Sequence, residues 1–325
     1  MLALRRSGRT LDKEVRMPEQ KWMPSQALLD TFCEIVGTEN VSVGEPMAAH
    51  VTFRIGGPAA VMVSPRSPEQ VAEVVRACGA AEAPMRVIGL GSDLLIADGG
   101  LACVVMRLAE NLNAVRVEGN RVIAQAGATN LSVAEAACAA GLAGYEFAEG
   151  IPGTIGGAAI MNAGAYVGDF STAAVSLKCV SPEGEIVEVT REQAQWGYRH
   201  SMMADAGYVV VEATLELSFD AQAEIQARMD DFHTRRVEKQ PLEMPSAGST
   251  FKRPEGYFAG KLIQDAGLRG YKVGGAQVSE KHTGFVVNAG GATAADVRQL
   301  IADVQARVKE EFGVELEPEV KMWGF

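Results

Sequence analysis

AVMVSPRSPEQVAEVVRACGAAEAPMRVIGLGSDL, residues 60–94, reads as a strand, a helix and a second strand that runs into a glycine-rich loop. Ser67 can cap a helix, Pro68 suits its first position and Gln70 completes a capping box, so a helix is predicted to start there. The apolar residues of VAEVVRACGA then supply its buried face. Residues 60–63 before it and 85–89 after it carry the β-rich composition of strands. The unit is a βαβ-like start.

Downstream, residues 114–117 and 122–125 flank the turn signal Glu118-Gly119-Asn120, and residues 177–180 and 186–189 flank Pro182-Glu183-Gly184. Both pairs predict hairpins. Between them, residues 130–140 are small and helix-favouring and stop at Gly141. VVVEATLEL, residues 209–217, is the most strand-like run in the chain. Helices are expected over 221–238, as a connector between domains, and over 294–312, capped by Thr293 with Asp296 and ended by Gly313. This mixture predicts an α+β protein, and 325 residues exceed what one core comfortably fills, so two or three domains are expected.

Hydrophobic residues make up 47% of the sequence and charged residues 22%, and no run approaches the roughly 18 apolar residues of a membrane span. A soluble protein with no membrane partner follows. Residues 1–24 are basic at first but lack the apolar core of a secretory signal, and read as an N-terminal extension. The five cysteines are odd in number and widely spaced, which predicts reduced, buried thiols in a cytoplasmic protein. The four histidines have no ligand spacing, so no metal site is expected. A net charge of −11 argues against nucleic acid as a partner. Residues 235–281 nevertheless hold nine Lys/Arg and five Asp/Glu, a local net of +4 against −15 elsewhere. A small polyanion suits that surface better than a duplex does.

Glycine is concentrated in Arg54-Ile55-Gly56-Gly57, in Gly89-Leu90-Gly91-Ser92-Asp93 and in GIPGTIGGA, residues 150–158. Loops of this kind let backbone N–H groups close on an anion, so a diphosphate cradle is expected. None of them has the GxGxxG spacing before an amphipathic helix, and Gly260-Lys261-Leu262 lacks both the earlier glycine and the following Ser/Thr of a P-loop.

Seven motifs, RIGGPA, GLGSDLL, GIPGTIGGAAIMNAGAY, GYRHS, PSAGSTFKRP, AGKLIQDAGLRGYKVGGAQVSEKHTGFVVN and LEPEVK, follow one another between residues 50 and 322. Together they resemble the UDP-N-acetylenolpyruvoylglucosamine reductase family, in its shorter, type II form. The resemblance implies an FAD-binding portion of the vanillyl-alcohol oxidase-like fold in two subdomains, 25–95 and 96–238, and a smaller substrate-binding domain over 239–325. It implies non-covalent FAD held by Arg54, Ile55, Gly56 and Gly57, by Gly89, Leu90, Gly91, Ser92, Asp93 and Leu94, and by Gly150, Ile151, Pro152, Gly153, Thr154, Gly156, Gly157 and Ala163. NADPH would reduce the flavin, which then passes a hydride to the enolpyruvyl methylene carbon of UDP-N-acetylglucosamine enolpyruvate in peptidoglycan precursor synthesis. By the same resemblance Ser249 donates the proton to the enolate, Arg199 binds the carboxylate and the developing charge, and Glu319 supports that group from the other side. Tyr198, Lys252, Arg253, Lys261, Gln277, Lys281 and His282 are candidates for the UDP moiety.

Two positions depart from the family pattern. Asp93 stands where relatives generally carry Asn, and a carboxylate cannot donate the hydrogen bonds of an amide. Val167 follows Tyr166 where a glycine is common. The readings that compete are an oxidase on the same FAD fold and a non-catalytic nucleotide-binding module.

Overall fold

The computed structural model describes residues 22–325; the extension expected over 1–24 lies, up to residue 21, outside the described residues. The first sheet runs in the order Val41–Pro46, Pro58–Val63, Leu101–Arg107, Met85–Ile88. Its first pair is antiparallel, and the strands Pro58–Val63 and Met85–Ile88 both lie parallel to Leu101–Arg107. The βαβ unit is present, but with a third strand inserted between its two strands. LACVVMR is apolar on both faces, as a strand covered on each side must be, and the periodicity rule for half-buried strands misses it. The helix Pro68–Ala80 starts as expected, with the Ser67 side chain accepting the Gln70 N–H. Its Val71, Val74, Val75 and Cys78 pack on Val61, Val63, Val104 and Met106.

The second sheet is antiparallel, in the order Ile186–Thr190, Ala174–Val180, Val209–Glu216, Arg121–Gln125, Val115–Glu118. Both hairpins are formed, paired Val180↔Ile186 and Glu118↔Arg121 at their closed ends. One face packs under the helices Asn130–Ala139, Ile155–Met161 and Gln222–Lys239. At one end Val209 and Val211 turn instead into the core of the first sheet, which joins the two layers.

The third sheet has the order Ser246–Ser249, Phe285–Asn288, Ala276–Val278, Lys272–Val273. The helix Ala294–Phe312 covers it, with Val297, Leu300, Ile301, Val304 and Val308 all buried. Its capping box pairs Thr293 with Asp296, and Gly313 ends it in the left-handed conformation, as expected. Phe53, Ile55 and Leu95 belong to this same core. Asp98 also accepts the Ala294 and Ala295 N–H groups at 2.8 and 3.1 Å, so the first part of the chain anchors the last long helix. Finally Lys321–Trp323 pairs in parallel with Leu94–Ile96, which returns the C-terminus to the second glycine loop.

The five thiols are free; four are buried and Cys33 is half-buried. Burial pushes Cys78 and Cys179 up to about 12, which leaves them inert as nucleophiles.

Candidate active site

The second and third glycine loops, distant in sequence, touch each other, and the turn that leads into the first lies against the second. Ser92 Oγ donates to the Pro152 carbonyl at 3.0 Å, and a Cβ on Gly89 would lie 2.2 Å from Thr154 Oγ1. The Thr52 N–H donates to the Gly91 carbonyl at 3.2 Å. Part of the cradle reading needs correction, however. The Gly57 N–H donates to the Ala97 carbonyl and the Gly156 N–H to the Ala126 carbonyl, both at 2.9 Å, so neither is available to an anion. Gly57 is glycine for another reason: a Cβ there would meet Asp98 O at 2.2 Å and Gly100 N at 2.5 Å. Backbone of this kind cannot step aside, so Gly57→Ala should cost roughly 1–3 kcal/mol of stability, as overpacking does. Urea unfolding measures it; an unmoved midpoint would mean that the loop accommodates the methyl group.

A cleft of about 850 Å³ opens beside the third loop, lined in part by Arg54, Ile151, Pro152, Arg199, Ser249 and Glu319. Arg199 sits in the tight turn Gly197–His200, closed by mutual backbone hydrogen bonds and pinned to the helix Ile155–Met161 through Asn162 Nδ2 to Gly197 O and Ser201 Oγ to Ile160 O. Its φ of 55° is left-handed, a conformation that costs a residue with a Cβ about 1–2 kcal/mol. Such strain persists where the surroundings over-determine it, and it clusters at functional sites.

The Arg199 Nε donates to Glu319 Oε1 at 2.5 Å, and both side chains are about four-fifths buried. Glu319 reaches that point because the segment after Ser249 is threaded between two partners. On one side the Thr250 N–H donates to Gly284 O; on the other the Glu319 N–H donates to Thr250 O, both at 2.8 Å. Ser249 itself is exposed to the cleft, while the Thr250 hydroxyl is buried and accepts the Val286 N–H at 2.9 Å. Of the two adjacent residues, only Ser249 lines the cleft.

Tyr198, Arg253, Lys261, Lys281 and His282 line the same cleft. Tyr198 accepts the Arg253 N–H at 3.3 Å, and the Arg253 guanidinium lies 4.0 Å over the Phe258 ring. Burial pushes the His282 imidazole down from its ordinary value, and its Nδ1 accepts the Gly284 N–H at 3.1 Å. It is therefore a neutral donor through Nε2 rather than part of the cationic set. Lys252 and Gln277 do not line the cleft. The Lys252 ammonium turns to Glu317 at 2.5 Å, and Gln277 is buried against Gly270 O and Glu280 Oε1.

Asp93 neighbours the site through its carbonyl, which accepts the Lys321 N–H at 2.8 Å. Burial holds the Asp93 carboxyl above the usual carboxylate range, and Glu319 adds to the effect while its own backbone hydrogen bond and Lys321 oppose it.

Sequence reasoning passed over Arg236, the most unusual side chain in the cleft. It is 6% exposed, and its Nε and Nη2 are buried with no hydrogen-bond partner among the described residues. The only signal was its place in the basic run at the end of the connector helix. A buried cation without acceptors beside the third glycine loop fits an anionic cofactor.

Comparison with known proteins agrees with this geometry. Residues 59–190 match the family described as FAD binding domain, and residues 240–323 match the C-terminal domain of UDP-N-acetylenolpyruvoylglucosamine reductase. The UDP-N-acetylenolpyruvoylglucosamine reductase of Clostridium perfringens is 50% identical over 90% of this chain and 95% of its own length. That of Alkaliphilus metalliredigens is 47% identical over 93% and 99%. The crystal structure of the Thermus caldophilus enzyme superposes with a TM-score of 0.75 at 34% identity, covering 87% of this chain and 98% of that one. Fold and site define an FAD-dependent oxidoreductase of the α+β class. Within that class, the chain belongs to the UDP-N-acetylenolpyruvoylglucosamine reductase family. No described helix is long and apolar enough to cross a membrane.

Proposed function

We propose that this protein reduces the enolpyruvyl group of UDP-N-acetylglucosamine enolpyruvate to the lactyl ether of UDP-N-acetylmuramate at the expense of NADPH, as a cytoplasmic step of peptidoglycan precursor synthesis. Bound FAD supplies the two-electron chemistry that links the two substrates. Residues 25–95 and 96–238 form its binding portion and residues 239–325 the substrate domain.

The Arg199 guanidinium orients the enolpyruvyl carboxylate and stabilises the negative charge that develops beside it. Glu319 holds that guanidinium in place against the strain of its turn. Ser249 Oγ delivers a proton to the carbon next to the carboxylate. A hydroxyl is a weak acid in water, so the transfer depends on the field of Arg199 in a partly closed cleft. Arg253, Lys261 and Lys281 offer positive charge to the diphosphate, with His282 as a neutral donor and Tyr198 as a hydrogen-bonding neighbour. One cleft serves NADPH and the sugar nucleotide in turn, because redox equivalents are stored between the two half-reactions. The observation that carries this reading is the Arg199–Glu319 contact at 2.5 Å in the same cleft as the exposed Ser249.

The test is NADPH oxidation measured anaerobically and in air, each with and without the enolpyruvyl sugar nucleotide. Strong dependence on that substrate is expected. Turnover driven equally well by oxygen alone would favour an oxidase, and a colourless protein without NADPH oxidation would favour a nucleotide-binding module.

A further inference from the structure

Arg236 lies in the last turn of the helix Gln222–Lys239, and its stem is laid so closely along the third glycine loop that a Cβ on Gly150 would be 2.5 Å from its Cδ. Its guanidinium carbon is 5.3 Å from the centre of the Tyr166 ring, which is stacked on Phe232 at 4.6 Å. The group is thus clamped. Glu149 acts on it electrostatically, but its Oε1 accepts from His233 Nδ1 at 2.9 Å and its Oε2 is buried with no hydrogen-bond partner among the described residues, so neither oxygen is bonded to Arg236. Burial lowers the Arg236 pKa from its ordinary value, with Tyr166 and Glu149 opposing, and a guanidinium remains charged under such shifts.

An immobilised, buried cation with two unsatisfied nitrogens destabilises the fold by several kcal/mol unless a ligand provides acceptors. Three anions could enter this cleft: the substrate carboxylate, a diphosphate, or the cofactor ring. The carboxylate has Arg199 in the same cleft, and the UDP diphosphate has Arg253, Lys261 and Lys281 from the C-terminal part of the chain. The glycines of the first two loops, Gly56, Gly57, Gly89 and Gly91, do not line the cleft, whereas Arg236 does, laid along the third loop at Gly150 in the same cleft as Ser249. Arg236 therefore shares the cleft of Ser249 and Arg199 and lies on its FAD-binding side.

We propose that Arg236 is the cation that meets the negative charge gathered on the N–C=O edge of the flavin ring upon reduction, and that it thereby sets the redox potential of this enzyme. The inference rests on the FAD reading of the loop 150–157. A planar guanidinium presents parallel N–H donors to such an edge, and charge placed there is one of the protein's principal means of tuning a flavin.

Sulfite tests this without using activity. Its lone pair forms a bond to the oxidised ring and the displaced electron pair comes to rest on the same edge, so affinity reports the stabilisation of negative charge there. Sulfite titration and potentiometry would be run on FAD-loaded wild type, Arg236→Lys and Arg236→Met. An opposite charge at close range shifts such equilibria by about 10- to 1000-fold, so Arg236→Met should bind sulfite at least about tenfold more weakly. Its potential should fall by about 30 mV for each tenfold. Arg236→Lys, which keeps the charge but loses the fork, should lie between and serves alone if the Met variant does not fold. Wild-type sulfite affinity and potential in either loaded variant would overturn the proposal, and so would a change confined to the Michaelis constant of the sugar nucleotide. Absence of FAD from the wild type would instead sink the cofactor reading on which the proposal rests.

Discussion

Ser249→Ala is expected to retain FAD and its reduction by NADPH while slowing reoxidation by the enolpyruvyl sugar nucleotide by about 10²- to 10⁴-fold. The magnitude is that of a general acid removed from a site where no second group replaces it. Thr250, the neighbouring hydroxyl, is 3% exposed and committed to the Val286 N–H, so it cannot substitute. Stopped-flow absorbance of the flavin separates the half-reactions: the variant is reduced with NADPH, mixed with substrate and followed as its colour returns. Ser249→Cys should recover part of the rate, because a thiol also carries a transferable proton. The competing account is that Ser249 only shapes the irregular pairing of Ser246–Ser249, where Gly248 adopts a φ of 73°. In that case alanine would lower stability and leave the chemistry intact, and reoxidation at the wild-type rate would remove Ser249 from the proton transfer.

The second large effect should come from Arg199. Replacing it with Met removes the charge that meets the carboxylate and the growing negative charge, and losses of about 10²- to 10³-fold in kcat are typical of such donors. Arg199→Lys should restore little, because a point charge does not reproduce the fork. Arg199→Gly is the more informative variant. It deletes the same charge but relieves the left-handed backbone, worth about 1–2 kcal/mol, which offsets part of the lost contact with Glu319. Activity should therefore collapse while the thermal midpoint stays close to that of the wild type. A variant with half the activity or more would show that Arg199 is a structural turn residue, whatever its stability.

The two effects meet at Glu319. Its position depends on the last stretch of chain lying beside both Thr250 and Asp93, through the Glu319 N–H to Thr250 O and the Lys321 N–H to Asp93 O, each at 2.8 Å. The proposed proton donor, its neighbouring cation and that cation's anchor thus come from three separate segments. The backbone of each is fixed by main-chain bonds, which presents the Arg199–Glu319 pair and the exposed Ser249 side chain to one cleft.

What the sequence determined by itself is local. Ser67-Pro68 and Thr293…Asp296 announce helix starts because a cap bonds within three or four residues of itself, and the Gly119 and Gly184 turns announce hairpins because the two strands adjoin. The resemblance of seven ordered motifs supplied the family and the candidate residues, including Ser249, Arg199 and Glu319. Contacts between distant segments were left to the tertiary structure. The strand Leu101–Arg107 enters between its two parallel neighbours, and Lys321–Trp323 adds to Leu94–Ile96. No periodicity within a strand encodes which distant strand it will join. Side-chain direction was equally hidden, so Lys252 and Gln277 proved to turn toward Glu317 and Glu280, while Arg236 turned into the cleft. Gly57 and Gly156 likewise read as donors to an anion until their N–H groups were found paired to Ala97 and Ala126. The reason is common to all of these: composition tells which groups a segment carries, but the partner that satisfies each group is chosen by whichever remote segment packs against it.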